Sequence, residues 1–166
     1  MNVISKGVFT LCIFSCLLLA ACSVSEEDAL QSFEDTIQNA VESPVQEVNY
    51  TTDSMSFYKP EAFSVNEEDQ YNVVLEDAGQ LFILFANPFS VESNTKVNEQ
   101  ADFYSDSIKV PQSETELKVN VIKEDDTYLV TFQHGDMKIS TETNNPGDLS
   151  KYAEQMISII KSSKYL

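Results

Sequence analysis

Cys22, His134 and a set of 27 aspartates and glutamates are the side chains in this 166-residue chain best equipped for chemistry. A thiol is the natural choice for making a thioether, because its thiolate is a strong nucleophile near neutral pH. Cys22 stands where an apolar run, "LLLAAC", meets an acidic one, "SVSEED". Cys12 and Cys16 lie inside the apolar run, where cysteine packs as a small hydrophobe. His134 is the one histidine and falls in a tight "HGD" turn. A catalytic imidazole needs an orienting group and a nucleophile at hand, so His134 reads as a turn cap in solvent. Calcium needs oxygens at set spacing around a glycine-bearing loop, and neither "NEEDQ" nor "KEDDTY" has that spacing. Two carboxylates can hydrolyse a glycoside, but among 27 acids any separation arises by chance. G-x-S-x-G, the P-loop and the dinucleotide fingerprint are all missing from the sequence.

The first 21 residues have three zones. Lys6 gives a short positive region, Val8 to Leu19 an apolar core interrupted by Thr10 and Ser15, and Ala20-Ala21 a pair of small residues. This is the layout of a secretory signal peptide. It is shorter than the ~20 apolar residues that a spanning helix requires. Leu19-Ala20-Ala21-Cys22 resembles the lipobox of bacterial lipoproteins. The resemblance implies that the Cys22 thiol receives a diacylglycerol and that cleavage makes Cys22 the new N-terminus. One acyl chain holds a protein only reversibly, at about 0.8 kcal/mol per buried methylene, and two anchor it stably. The implied partner is the membrane, through the lipid on Cys22, and the implied location is the outer face of the bacterial cell membrane. With Cys22 acylated and the other two cysteines removed, no disulfide is available and zinc lacks its soft ligands.

Removing Lys6 leaves nine lysines against the same 27 acids, which moves the formal charge from −17 to −18, and the chain has no arginine. Nucleic acid and anionic head groups both need basic surface, so neither is an expected partner. The missing arginine also removes the preferred bidentate clamp for phosphate or carboxylate. The acids are spread along the chain, as suits solubility.

These groups need elements to position them. Leu30, Phe33, Ile37 and Val41 recur at helical spacing, with Ser25 and Asp28 as a capping box and Pro44 as the stop. Beyond Pro44 the period changes to two. Val45 to Thr52 and Ser54 to Tyr58 read as strands, with Met55 and Phe57 on one face. Tyr71 to Glu76 and Gln80 to Asn87 read as a hairpin around Asp77-Ala78-Gly79. "LFILF" lacks polar alternation, so both faces of Leu81 to Phe85 should be buried. Residues 90 to 101 are polar, a loop or a short surface helix, and Asp102 to Val110 is a further strand candidate. Three runs, 117 to 123, Thr127 to Gln133 and Met137 to Thr143, form a meander. A final helix has Asn145 as its cap, Pro146 at its first position and Asp148 completing the box. Its stripe is Leu149, Tyr152, Met156, Ile159, Ile160 and Ser163, while Lys161 and Lys164 suit its negative end.

"MSFYKPEAFSV", with an apolar-aromatic strand, Pro60 and then Phe63, resembles the opening of the PsbP-like fold. Ala62 stands where that family usually has glycine, and tryptophan is missing. The order of elements is also similar to that of small Gram-positive lipoproteins that act as accessory or assembly factors. The expected fold class is therefore α+β, an antiparallel sheet of about six or seven strands covered by an N-terminal and a C-terminal helix. Residues 1–21 are expected to be a signal peptide and 22–166 one extracytoplasmic domain, with 22–25 a short lipid tether. The expected function is that of a membrane-anchored, non-catalytic binding or accessory module for an envelope protein or small ligand, without cofactor or metal. The rival is a cell-envelope hydrolase with a carboxylate site.

Overall fold

The computed structural model describes residues 24–86 and 102–166. Cys22, the signal segment, Asn87, Pro88 and the polar stretch 90 to 101 lie outside the described residues.

Helix α1 spans Glu26–Glu42. The Ser25 hydroxyl oxygen accepts the Asp28 amide at 3.1 Å and donates to the Asp28 carboxylate at 2.7 Å. Three acids in the first turn favour the positive end of the helix. The expected stripe is the buried one: Phe33, Ile37 and Val41 face the core, Ala29 joins them and Leu30 is half-buried. At the far end both the amide and the hydroxyl of Ser43 donate to the Asn39 carbonyl, and Pro44 cannot continue the helix.

The strand expected over Val45 to Thr52 contracts to β1, Tyr50–Thr51. Val45 and Val48 are exposed, and alternation without a neighbouring strand to pair with makes no ladder. β1 pairs with β2 (Met55–Phe57), which pairs with β10 (Lys164–Tyr165) at the C-terminus. Met55, Ser56 and Phe57 are all buried, so this short strand is covered on both faces. Phe63 follows the Pro60 turn, its amide donating to the Pro60 carbonyl, and packs on Phe82 at 5.1 Å between centroids.

The main sheet is antiparallel throughout and has the order β3-β4-β5-β9-β8-β7-β6. Its strands are β3 Ser64–Glu68, β4 Asn72–Asp77, β5 Gln80–Ala86, β6 Asp102–Lys109, β7 Glu116–Glu124, β8 Thr127–His134 and β9 Met137–Thr143. β3 is polar, bulged between Val65 and Glu67, and sits at the edge, where charge discourages further pairing. The β4–β5 turn holds both Ala78 (φ 51°) and Gly79 (φ 87°) in the left-handed region, the geometry of a type I′ turn that matches the twist of its strands.

Pro146–Asp148 is a 3-10 turn capped by Asn145, whose side chain accepts the Gly147 amide at 3.1 Å. The Asn145 cap therefore serves this turn, and helix α2 begins after it, at Leu149, and runs to Ile160. The expected stripe is buried, with Ala153 and Ile157 widening it. The Ser150 hydroxyl bonds Ser32 at 2.9 Å near the starts of the helices, and Lys161 meets residues 40 to 43 near their ends. The two helices thus run side by side in one direction.

Both helices cover the same face of the sheet. Val73, Leu84, Ile139, Phe132 and Val119 are successive cross-strand partners, all buried, under Phe33 of α1 and Tyr152 of α2. The next row is Val74, Ile83, Ser140, Thr131 and Asn120, and neither helix reaches it. This corrects the expectation for "LFILF". Phe82 and Leu84 are buried, but Leu81 and Ile83 are 45% and 46% exposed. A hydrophobic run without alternation predicts two-sided cover, whereas the helices supply one layer only.

Candidate functional site

Lys161 lies just past α2, yet it is only 9% exposed. Its stem follows the buried stripe four residues beyond Ile157, and its ammonium ends on the last turn of the other helix. Nζ donates to the carbonyls of Ala40 (3.0 Å), Val41 (2.7 Å) and Ser43 (2.5 Å). A helix leaves its last carbonyls without intrahelical partners, and this lysine supplies two of them, and that of the cap residue Ser43, with a donor and a positive charge. Burial draws its pKa below the ordinary lysine value. The charge expected at the negative end of its own helix thus caps the end of the other one.

Beside this contact the two helices and the segment after Pro44 line an open-sided cavity of about 390 Å³. Ala40, Pro44 and Val45 give it apolar wall, and Thr36, Asn39 and Glu154 give it polar groups. Among the described residues, no hydrogen bond or ion pair engages the Glu154 carboxylate. The volume falls within the several hundred Å³ usual for small-molecule sites.

The other end of α1 is fastened differently. The Glu26 carboxylate accepts from the Tyr128 hydroxyl at 2.7 Å and pairs with Lys123, which joins the helix start to the β7–β8 hairpin. The Lys123 hydrogen bond, then that from Tyr128, lowers the Glu26 pKa. α1 therefore begins four residues after Cys22, with its first turn tied to the sheet. At 1.5 Å per residue its 17 residues span about 25 Å, and the cavity lies along the half of the helix from Thr36 onward, away from Glu26.

His134 closes β8 rather than standing in open solvent. Its Nε2 lies 2.9 Å from the Ser113 hydroxyl oxygen, which also accepts the Thr115 amide at 3.1 Å. The imidazole and Ser113 together brace the β6–β7 loop, where Gln112 adopts φ 64°. Half-burial pushes the His134 pKa below its usual 6.5, opposed by a hydrogen bond with the Thr115 backbone and reinforced by the nearby charge of Lys161. A serine and a histidine at this distance could form a nucleophile–base pair, but here Ser113 closes its own loop, and the cavity's lining includes neither residue.

In the two acidic stretches Asn66 to Glu68 belong to β3 and Lys123 and Glu124 to β7, while Asp69, Asp125 and Asp126 make turns. Asp69 Oδ1 accepts from the amides of Tyr71 and Asn72, both at 2.8 Å, and these bonds hold its pKa down. Asp125, at φ 52°, sits in the β7–β8 turn. Asp77 accepts from Gln155 at 2.8 Å and faces Lys151 at 3.5 Å, which stitches α2 to the β4–β5 turn. Among the described residues no three His, Cys, Asp or Glu side chains form a metal-binding group. No helix among them is long and apolar enough to cross a membrane.

Sequence reasoning named Cys22 and His134 and missed the cavity. The one signal for it was Lys161 itself, a charge that continues an apolar stripe, since a cation there must find buried acceptors. No family model, curated protein or solved structure matches this chain.

Proposed function

We propose that the protein is a lipid-anchored module on the outer face of the bacterial membrane that binds a small ligand without transforming it. The observation that supports this most is the arrangement along α1. Its N-terminus starts within four residues of Cys22, and the cavity lies toward its other end, lined from Thr36 onward, about 15 Å or more along the helix from Glu26. Acylation of Cys22 would hold the domain at the bilayer while the cavity faces outward.

The rival, a hydrolase, needs a carboxyl group whose pKa is raised so that it can donate a proton. Among the described residues the carboxylates with moved pKa values, Glu26 and Asp69, move down, held ionised by hydrogen bonds. That favours the binding module.

A photoreactive side chain at Asn39, in the cavity, and another at Glu27, near the anchor, test the reading in intact cells. A defined small-molecule adduct at Asn39 and none at Glu27 is the expected result. Equal labelling at both positions, or none at Asn39, would contradict it.

A further inference from the structure

We infer that the cavity between α1 and α2 takes a small primary amine in its ammonium form; this rests on the binding-module reading above. A primary ammonium brings three N–H donors and needs acceptors. The cavity's lining includes Glu154, Thr36 and Asn39, residue types that carry acceptors, and Ala40, Pro44 and Val45 for an apolar body. The carboxylate has no other partner among the described residues.

An anion fits poorly. The cation lining the cavity is Lys161, and its three N–H bonds already end on the carbonyls of Ala40, Val41 and Ser43. That ammonium has no N–H left to donate to a carboxylate or phosphate, and its charge lies against the negative C-terminal end of α1. A quaternary ammonium fits poorly for another reason. It has no N–H to donate and is held by aromatic faces, and none of the described residues lining the cavity is aromatic. The formal charge of −17 acts in the same direction, concentrating cations at the surface.

The test is a titration of the full chain, purified in detergent and isotope-labelled, with three probes of similar size. These are phenethylamine, its trimethylammonium analogue and phenylpropanoate at neutral pH, followed through the amides of Asn39, Gln46 and Ser158. Phenethylamine alone should move all three saturably while the Glu27 amide stays still. Glu154→Gln, a change at an exposed side chain, should weaken the binding about tenfold, as loss of a charge-assisted bond does. If phenylpropanoate or the quaternary analogue moves the same amides as strongly, the amine assignment is overturned and the binding module stands. If Glu154→Gln binds phenethylamine as tightly as the parent, the amine assignment is likewise overturned. If no probe moves them, both the amine and the binding module fall.

Discussion

A lysine whose three N–H bonds all end on backbone carbonyls cannot be made apolar without leaving those oxygens bare. A buried acceptor stripped of its donor costs about 1–3 kcal/mol, so Lys161→Met should destabilise the protein by about 2 kcal/mol. Lys164, exposed three residues on, is the control. Lys164→Met should stay within about 0.5 kcal/mol of the parent. Urea midpoints measure both, and equal midpoints would mean that Lys161 does not cap α1. His134 makes a second prediction. Its pKa is lowered in the fold, so the unfolded chain takes up a proton first as pH falls. The group's contribution is complete above its unfolded value near 6.5 and declines as pH drops from there toward the lower folded value. His134→Gln should flatten the slope of stability against pH in that window. A slope unchanged by the substitution would assign it to other groups. Neither partner was legible in advance. A sequence shows a lysine near a helix end and a histidine near a turn, but it does not show which backbone each one reaches.

At the scale of elements, periodicity located most of the structure because side-chain burial is periodic in helices and strands alike. The α1 stripe at Phe33, Ile37 and Val41 and the meander from Glu116 to Thr143 both follow from it. What misled was cover. "LFILF" looks the same whether one face or both are buried, and only the placement of both helices on one side exposes Leu81 and Ile83. β3 escaped notice for the opposite reason: "SVNEE" is polar because it is an edge strand. The β4–β5 turn carries a testable misfit. Ala78 sits at φ 51°, where a side chain with a Cβ costs roughly 1–2 kcal/mol. Ala78→Asn, whose side chain tolerates this region, should raise the urea midpoint, and Ala78→Val should lower it. If both variants melt with the parent, the turn is not held in this geometry.

At the scale of the whole molecule, the lipobox resemblance at Cys22, the fold and the cavity join into one arrangement. The anchor would enter through Ser23, Val24 and Ser25, and Glu26 fixes the first turn of α1 to Lys123 and Tyr128. The cavity sits at the other end of the same rigid element. The fold class could be read from pattern alone, whereas the site could not, because it exists only where the ends of two distant helices meet. The account depends most on what becomes of Cys22. Intact-mass measurement of the protein extracted from membranes addresses this directly. The account predicts a chain that starts at Cys22 and carries diacylglycerol on its sulfur. A chain that still begins at Met1, or one that starts at Cys22 without lipid, would contradict it.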